Sequence, residues 1–414
     1  MLASPPLDRS GRQWTDEAMA LVLAGGAGSR LGRLTAGQTK AAVPFGGRYR
    51  AIDFTLSNCV NSQLRRIAVL TQYKSQSLIR HVHSGWGFLH REIGEYIEIW
   101  PAQQRDGERW YAGTVDALYQ NLDLIEAAEP KQVLVLAGDE IYSLDYGVLL
   151  EEHVAAGADV TVSCVEMPLA AAAEHNDAEL CGDRRIERIG PRAVRGAASS
   201  KGFALVPMGV YVFDAAFLFE RLPEWHRRAT LLDIGRDLVP ASTSDARVFA
   251  HLFRSEDLPG YWRDVGTIDR YWSAHMELVD DSPPSVLDDR DWPVFTHHSA
   301  LAPAQIRAGA RVEATVVSPG CTIAGSVRRS VLSSGCKVGR GALVSDSVLL
   351  PGAQVGDGCV LDRVVVDTNC RVAPCLSLGA CFGPEQGHYV SPHGVMLVTS
   401  SSQPSPPRVV RKIA

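Results

Sequence analysis

The chain has 414 residues, more than one ordinary hydrophobic core supports, so two domains are expected. Its net charge of -6 excludes nucleic-acid binding through bulk positive charge and leaves room only for a local basic pocket. No apolar run has the length of a signal-peptide core or a membrane span, which argues against a membrane partner. The nine cysteines form no C-x-x-C pair, so reduced, structural thiols and a cytoplasmic location are expected.

Short apolar runs alternate with longer mixed segments over the first 290 residues. Between the runs, Thr114–Ala128 and Asp145–Ala156 carry apolar residues at helical spacing. This alternation predicts a Rossmann-like α/β domain with a mostly parallel sheet. The runs with the composition of strands are Ala20–Ala24, Ile67–Thr71, Val133–Leu136, Val160–Val165 and Val210–Phe213.

A glycine-rich stretch, LVLAGGAGSRLGRLTAGQTK, begins in the first predicted strand and ends at Lys40. The residues from Gly26 run G-A-G-S-R-L, which lacks the third glycine of a dinucleotide-binding fingerprint, and the spacing of a P-loop is also absent. Backbone N–H groups of glycines can approach a ligand closely, and Arg30 and Lys40 can reach a polyphosphate. On its own, the stretch predicts either a phosphate-binding loop or a glycine turn with solvated basic residues.

The chain changes character near residue 290. A Pro- and Asp-rich segment, DDSPPSVLDDRDWP at Asp280–Pro293, is predicted to connect the domains. Beyond it, aliphatic residues recur at a step of six, which is not a helical period. Such a step predicts a parallel β-helix of hexapeptide coils, with a generic β-sandwich as the alternative. The repeating positions are Ile306 and Val312, Val317 and Ile323, then Leu332, Val338, Val344 and Leu350, then Val355 and Leu361, and Val366 and Val372.

Longer motifs follow the glycine loop in a fixed order. They are AAVPFGGRYRAIDFTLSNCVNS at Ala41–Ser62, WYAGTVDALYQNLD at Trp110–Asp123, LAGDEIY at Leu136–Tyr142 and YWRDVGTIDRYW at Tyr261–Trp272. Together with the loop and the repeat, this series resembles the bacterial ADP-glucose pyrophosphorylase (glucose-1-phosphate adenylyltransferase) family. The resemblance implies a nucleotidyltransferase domain over residues 1–290. It also implies a left-handed parallel β-helix domain over residues 291–414, with a regulatory or oligomerising role.

The resemblance implies an adenylyl transfer, in which a phosphate oxygen of glucose 1-phosphate attacks the α-phosphorus of ATP and pyrophosphate leaves. Such a step needs positioning and charge neutralisation more than covalent help from the protein. Asp139 and Asp264 match the family's metal ligands, and their hard oxygens suit Mg²⁺. Arg30, Lys40 and Asp139 are the implied catalytic residues, with Lys40 stabilising the departing pyrophosphate.

Two sets of ligand-binding residues follow from the same resemblance. The nucleotide set consists of Leu23, Ala24, Gly25, Gly26, Gly28, Gln72, Gln104, Gly113, Thr114 and Asp116. The sugar-phosphate set consists of Tyr211, Asp233 and Trp262, and Arg192 is added to it as a candidate to replace a positive charge that the family has and this sequence lacks.

The sugar-phosphate half departs from the family pattern. The family has an F-V-E-K-P segment whose lysine neutralises the phosphate of glucose 1-phosphate. Here the region reads RIERIGPRAVRG, and Arg188, Arg192 and Arg195 are the candidates to restore positive charge. Pro207 replaces a serine and has neither a hydroxyl nor an N–H, and Ile234 replaces a phenylalanine.

These departures leave alternatives open. The chain is either a working adenylyltransferase, for glucose 1-phosphate or a different sugar phosphate, or a catalytically weak regulatory subunit of such an enzyme. The intact basic and acidic residues of the ATP half favour the first. A hexapeptide acyltransferase is a third alternative, but His388 and His393 lie beyond the repeat.

Regulation and assembly are also implied only by the resemblance. In the family, basic residues around the position of Lys40 bind anionic effectors. Arg50 matches one of them and Arg48 keeps charge nearby, whereas Gly37 and Gln38 do not. A blunted or different response to sugar-phosphate effectors is therefore expected. The family pattern also implies a homotetramer, or a hetero-tetramer with a paralogue.

Overall fold

A computed structural model describes residues 12–103, 105, 110–182, 184–191, 202–228, 232–255, 258–297, 300–379 and 388–400. The strands of the N-terminal domain are β1 (Ala18–Leu23), β2 (Pro44–Phe45), β3 (Tyr49–Arg50), β4 (Arg66–Thr71), β5 (Tyr96–Pro101), β6 (Gln132–Ala137), β7 (Glu140–Tyr142), β8 (Val160–Pro168), β9 (Asn176–Cys181), β10 (Arg185–Pro191), β11 (Phe203–Asp214), β12 (Val248–Ser255), β13 (Leu258–Pro259) and β14 (Trp262–Asp264). Its helices are α1 (Arg12–Asp16), α2 (Ala51–Asn61), α3 (Gln76–Gly85), α4 (Thr114–Tyr119), α5 (Leu122–Ala127), α6 (Tyr146–Ala155), α7 (Ala215–Arg227), α8 (Val239–Ser242) and α9 (Ile268–Glu277).

One large sheet organises this domain, in the order β5-β4-β1-β6-β11-β8-β12-β10-β9. The central strands β5, β4, β1 and β6 pair in parallel, and β11 joins them antiparallel. Side chains of β1 alternate between two apolar cores: Ala18, Ala20 and Val22 on one face, Met19 and Leu21 on the other. Both faces of the sheet are therefore covered, which explains why its strands are continuous apolar runs in the sequence. The predicted α/β domain with a mostly parallel sheet is confirmed.

The predicted helical segment Thr114–Ala128 is interrupted and forms two short helices, α4 and α5. The break lies at Asn121, whose side-chain amide donates to the carbonyl of Ala117 and to the Tyr111 hydroxyl. An asparagine that bonds to nearby backbone competes with helix continuation, which accounts for the interruption.

The C-terminal region is a parallel β-helix, as predicted, and not a β-sandwich. Three sheets run along it, in the orders β15-β18-β21-β24-β27, β16-β19-β22-β25-β28 and β17-β20-β23-β26-β30-β29. The strands are β15 (Gln305–Ile306), β16 (Arg311–Glu313), β17 (Val316–Val317), β18 (Thr322–Ile323), β19 (Ser326–Arg328), β20 (Val331–Leu332), β21 (Lys337–Val338), β22 (Leu343–Ser345), β23 (Val348–Leu349), β24 (Gln354–Val355), β25 (Val360–Asp362), β26 (Val364–Val366), β27 (Arg371–Val372), β28 (Ser377–Leu378), β29 (Tyr389–Val390) and β30 (Met396–Val398).

The repeating aliphatic residues stack coil upon coil, with one exception. Leu349, not the predicted Leu350, is in register with Leu332 and Val366 and lies in the β-helix core. The step from Val344 to Leu349 is five residues, as it is from Val327 to Leu332 and from Leu361 to Val366, so Leu350 is not part of the stacked series. It is nevertheless buried, because it packs in a cluster shared with the N-terminal domain. At the first coil, Ile306 is 60% exposed.

The two regions share an extensive contact. The cluster that contains Leu350 also contains Phe45 and Tyr271. The indole of Trp272 donates to the carbonyl of Asp346 at 2.7 Å, and the backbone N–H of Ser334 donates to Gly47. Helix α9 and the β2–β3 hairpin are thus the parts of the N-terminal domain that lie against the coils.

Within the described residues, no helix is long and apolar enough to cross a membrane. No disulfide links the described cysteines. The thiols of Cys321 and Cys336 instead donate to backbone carbonyls at 3.2 Å inside the β-helix.

His275 is buried against the β2–β3 hairpin, and its lowered pKa predicts a loss of stability in acid. Its Nε2 accepts from the backbone N–H of Gly46 at 3.3 Å, and its Nδ1 lies 2.8 Å from the carbonyl of Tyr271, so the neutral ring donates through Nδ1. Burial lowers the pKa of His275 from 6.5 to about 4. The unfolded chain therefore binds a proton before the folded one does, and stability present above pH 6.5 is lost as the pH falls towards 4.

We expect His275 to cost about 2 kcal/mol of unfolding free energy at pH ~5 relative to neutral pH. Urea unfolding at both pH values measures this loss in the wild type and in His275→Gln. The glutamine variant should lose less stability on acidification by about that amount. The same pH dependence in both proteins would exclude His275 as its source.

Candidate active site

A cavity of about 660 Å³ opens at the carboxyl edge of the parallel strands, where ligands of α/β sheets gather. The glycine segment after β1 forms one wall and Gln72, directly after β4, forms another. The opposite side comes from the start of α4 and from residues 232–236. The predicted site residues that line it are Leu23, Gly25, Gly26, Gln72, Gly113, Thr114, Asp139, Tyr211 and Asp233.

The glycine segment folds around the residues that precede Lys40. The Thr39 hydroxyl donates to the carbonyls of Ala24 and Gly26, and the backbone N–H of Lys40 donates to Gly26. Gly28 has φ 61°, and a Cβ there would lie 3.0 Å from the Lys40 Cβ. Glycine is needed at that position for both reasons. The segment thereby holds Lys40 beside the backbone that closes the cavity.

Lys40 lies between the two predicted metal ligands. Its Nζ is 2.8 Å from Oδ2 of Asp139 and 3.1 Å from Oδ1 of Asp264. Asp139 follows β6, and Asp264 ends β14, which pairs antiparallel with β7 so that Asp264 is opposite Glu140. This pairing brings carboxylates that are far apart in the chain to one ammonium group.

The charged groups around Lys40 keep each other ionised by shifting each other's pKa values. Burial opposes the charge of Lys40, but Asp139, Glu140 and Asp264 together raise its pKa well above the ordinary value. Burial alone would raise the pKa of Asp264, but Lys40, Arg270 and Arg30 lower it to about 2. Near neutral pH, Lys40 is therefore an ammonium and Asp264 a carboxylate.

Gly266 completes the cluster by leaving room for it. Its backbone N–H donates to Oδ1 of Asp264 at 2.8 Å. A Cβ at Gly266 would lie 2.7 Å from that oxygen, 3.1 Å from Nη2 of Arg30 and 3.3 Å from Nζ of Lys40. The predicted residues Arg30, Lys40 and Asp264 thus meet around a position that tolerates no side chain.

We expect Gly266→Ala to lower kcat by on the order of 10²-fold, because the methyl group must displace the Asp264 carboxylate or the neighbouring cations. Initial rates of product formation measure the loss. The matched control is Gly37→Ala, since a Cβ at Gly37 meets nothing within 4 Å. Near-normal turnover of the Gly266 variant would show that the cluster is not needed in this arrangement.

The donors present fit a divalent metal of the magnesium type. Asp139 and Asp264 direct hard oxygens to one point that already accommodates a positive charge. In the described part of the chain, no group of three or more His, Cys, Asp or Glu side chains is arranged to hold a metal. Mg²⁺ is commonly bound by one or two carboxylates, with substrate phosphates and water as its other ligands.

The nucleotide-side residues form a connected wall. Gln72 Oε1 accepts from the backbone N–H of Tyr111 at 2.8 Å, which joins the end of β4 to the loop before α4. A Cβ at Gly113 would lie 2.2 Å from the carbonyl oxygen of Leu232, so glycine allows the two sides of the cavity to touch. Thr114 Oγ1 accepts from the N–H of Ile234 at 2.8 Å. Gln104 lies outside the described residues.

Asp116 supports this wall without lining the cavity. One carboxylate oxygen accepts from the N–H of Ala112 and from the Gln120 amide, and the other lies 2.9 Å from Nε2 of His226. Asp116 is not among the described residues that line the cavity. Its contacts give it a positioning role in this structure, whereas the resemblance predicted a nucleotide contact.

The sugar-side residues contain buried polar atoms with no partner in the described chain. They are Nε1 of Trp262 and Oε2 of Glu140. Tyr211 is nearly buried, with its hydroxyl against Gly235, where a Cβ would come within 2.1 Å of it. Asp233 begins the π-helical segment Ile234–Leu238 and accepts from the N–H of Arg236.

Of the arginines proposed to restore positive charge, only Arg188 lies in the described part of the chain, and it is not among the residues that line the cavity. Arg188 is wrong for this role: it lies on β10 with an exposed side chain that pairs with Glu179. Strand β10 is near the edge of the sheet, two strands beyond β8. Arg192 and Arg195 lie outside the described residues.

The predicted effector residues lie on the β2–β3 hairpin, near the β-helix. Arg48 stacks on Tyr49 with 5.0 Å between its guanidinium carbon and the ring centre. Arg50 donates to the carbonyl of Ala42 at 2.9 Å, and burial lowers its pKa.

The sequence analysis missed several residues near Lys40, near Asp264 and on the sugar side of the site. They are Glu140, Glu174, His175, Gly235, Gly266 and Arg270. Three of them were within quoted motifs, since Glu140 follows Asp139 and both Gly266 and Arg270 lie in YWRDVGTIDRYW. The others were hidden because their proximity depends on loop paths that no local pattern encodes.

Comparisons with known proteins agree with this geometry. A family described as nucleotidyl transferase matches residues 19–281, and one described as GlmU-like, C-terminal hexapeptide, matches residues 301–398. The chain is 44% identical over 398 residues to the glucose-1-phosphate adenylyltransferase of Methylococcus capsulatus, covering 93% of this chain and 94% of the relative. It is 45% identical to glucose-1-phosphate adenylyltransferase 2 of Alkalilimnicola ehrlichii, covering 96% and 97%. It is 46% identical to the glucose-1-phosphate adenylyltransferase of Albidiferax ferrireducens, covering 92% and 94%.

Proposed function

The chain belongs to the nucleotidyl transferase family, in the group of glucose-1-phosphate adenylyltransferases, and we propose that it converts ATP and glucose 1-phosphate into ADP-glucose and pyrophosphate. The observation that carries this proposal is Lys40, held between Asp139 and Asp264 beside a cavity closed by glycine backbone. A subunit with only a regulatory role would have no use for two carboxylates and a lysine in this arrangement.

In the proposed reaction, a phosphate oxygen of glucose 1-phosphate forms a bond to the α-phosphorus of ATP. The bond from that phosphorus to the oxygen bridging to the β-phosphate breaks, and pyrophosphate leaves with the electron pair. Arg30 and Lys40 would neutralise the leaving group, and the N–H groups of the glycine segment would bind the triphosphate. No proton has to be removed from the nucleophile, so charge and alignment dominate the barrier.

Asp139 and Asp264 would hold the divalent metal, which we propose to be Mg²⁺. When bound, this ion supplies positive charge to the phosphate oxygens around the reacting phosphorus. With the metal bound, Lys40 would leave its place between the two carboxylates, and we propose the pyrophosphate end of ATP as its new anionic partner.

The binding residues divide between the two substrates. We propose the nucleotide set Leu23, Ala24, Gly25, Gly26, Gly28, Gln72, Gln104, Gly113, Thr114 and Asp116, the last acting from behind the wall. Tyr211, Asp233 and Trp262 would contact the sugar, and Arg192 its phosphate. Trp262 Nε1 has no hydrogen-bond partner among the described residues, which supports this proposal because a sugar hydroxyl would satisfy it.

We also propose an effector site and an assembly surface. Arg48 and Arg50 would bind an anionic effector at the hairpin that touches the β-helix, with a blunted response. The exposed Leu301 and Ile306 at the first coil support a tetramer, of one chain or with a paralogue, that covers this end.

Product analysis tests the proposed activity. The purified chain, given ATP, Mg²⁺ and glucose 1-phosphate, should form ADP-glucose in amounts equal to the pyrophosphate released. Galactose 1-phosphate and mannose 1-phosphate in place of the glucose ester identify the preferred sugar. Formation of a nucleotide sugar only from another ester would assign the chain to that substrate.

A further inference from the structure

Arg270, on helix α9, joins the candidate metal ligands to the sugar side of the site. Its Nη1 donates to Oδ2 of Asp264 at 2.6 Å, and its Nη2 donates to Oε2 of Glu174 at 2.5 Å. One guanidinium therefore bridges a nearly buried carboxylate and one that is 71% exposed. This bridge has no part in the proposed adenylyl transfer.

The bridge connects Arg270 to the segment that packs on Trp262, a proposed sugar-binding residue. Glu174 ends a short turn of 3₁₀ helix, and the following residue, His175, packs edge-on against Trp262 with ring centres 5.6 Å apart. Asp264 and Trp262 are the two ends of β14. Arg270 thus lies between the carboxylate that would hold the metal and the segment that covers the proposed sugar residue.

Lys40 and Arg270 approach Asp264 from different sides. Lys40 Nζ and the N–H of Gly266 contact Oδ1, whereas Arg270 Nη1 contacts Oδ2. The first group continues into the glycine segment that would hold the triphosphate. Arg270 contacts the other oxygen of Asp264 and, through its second nitrogen, Glu174 in the segment that packs on Trp262.

We propose that Arg270 binds the phosphate group of the sugar phosphate and that Glu174 occupies its Nη2 until that phosphate arrives. This inference rests on the proposed function. A guanidinium fork suits the bidentate recognition of phosphate. A monoester phosphate carries nearly two negative charges, whereas Glu174 is an exposed single carboxylate whose ion pair contributes little stability. The phosphate therefore replaces Glu174 readily.

Kinetics with both substrates varied tests the assignment. In Arg270→Ala, the KM for glucose 1-phosphate should rise by on the order of 10- to 100-fold, while the KM for ATP changes less than about twofold. Arg270→Lys should recover part of the loss. In Glu174→Gln, which frees the guanidinium, the KM for glucose 1-phosphate should fall by about two- to threefold. The matched control is Arg329→Ala, since Arg329 likewise bridges two carboxylates, Asp280 and Asp346, each at 3.0 Å.

Two results would overturn the assignment. One is an unchanged KM for glucose 1-phosphate in Arg270→Ala. The other is an equal rise in both KM values, which would mean that Arg270 acts only by orienting Asp264. Arg270→Lys and Glu174→Gln decide the question if the alanine variant does not fold.

Calorimetry separates this inference from the proposed function. Glucose 1-phosphate is titrated into the wild type and Arg270→Ala, each with Mg²⁺ and α,β-methylene ATP bound. If the wild type forms no ADP-glucose, the proposed function fails, but weaker binding by the variant still supports the Arg270 assignment. Equal binding by the two proteins, or none by the wild type, contradicts it.

Discussion

Replacing Lys40 with alanine is expected to lower kcat by roughly 10³-fold, because the leaving pyrophosphate would lose a cation that we propose neutralises it. The same change leaves Asp139 and Asp264 facing each other without the ammonium that now lies 2.8 and 3.1 Å from them. Carboxylates that share one site repel each other when both are ionised, so the pKa of one of them should rise. The variant is therefore expected to lose both turnover and stability.

Steady-state rates in both directions measure the effect of Lys40. The KM for pyrophosphate in the reverse reaction should rise along with the loss of kcat, because Lys40 is proposed to contact that product. Lys131→Ala is the matched control: Lys131 also pairs with a carboxylate, Glu17, but its side chain is 64% exposed. A Lys40→Ala enzyme that keeps more than about a tenth of the wild-type kcat would remove Lys40 from the reaction.

Asp139→Asn and Asp264→Asn are expected to reduce kcat by on the order of 10³-fold or more and to raise the Mg²⁺ concentration needed for half-maximal rate. An amide keeps the shape of the side chain but removes the charge that attracts both Lys40 and the metal. Because each variant keeps the other carboxylate, high Mg²⁺ should restore part of the activity.

Mg²⁺ binding provides a second readout for these variants. The melting temperature of the wild type with ATP should rise on adding Mg²⁺, and the rise should be smaller in both asparagine variants. Asp280→Asn, which removes a surface carboxylate paired with Arg329, should behave as the wild type. Full activity at ordinary Mg²⁺ in Asp139→Asn or Asp264→Asn would show that the carboxylate is not a metal ligand.

Much of the fold was predictable because its apolar patterns are strong. A buried parallel strand such as β1 is apolar on both faces, and a β-helix coil must place an aliphatic residue at each turn. The error at Leu350 has a physical cause. The step from the second to the third strand of these coils is five residues, so Leu350 lies one residue beyond the stacked position, and it is apolar because it packs with the N-terminal domain. An apolar residue of the contact between the domains therefore fell at the six-residue spacing of the repeat without belonging to it.

The site was predictable only in part. The motif residues were identified, but the pairing of β7 with β14, which places Asp264 opposite Glu140, joins segments that are distant in the chain. The bridge from Arg270 to Glu174 likewise depends on the path of the segment between β8 and β9, which has no recognisable pattern. The sequence offered Arg188 and its neighbours as substitutes for the lost positive charge, whereas Arg270, which pairs with Asp264, lies on α9.

Adenylyl transfer by this chain is measured most directly with the purified chain alone and ATP labelled in its α-phosphate. With Mg²⁺ and glucose 1-phosphate, the label should move into ADP-glucose, in step with pyrophosphate release, and Asp264→Asn should nearly abolish the transfer. Label that stays in ATP with glucose 1-phosphate and with every other sugar 1-phosphate tested would show that the chain alone is not an adenylyltransferase.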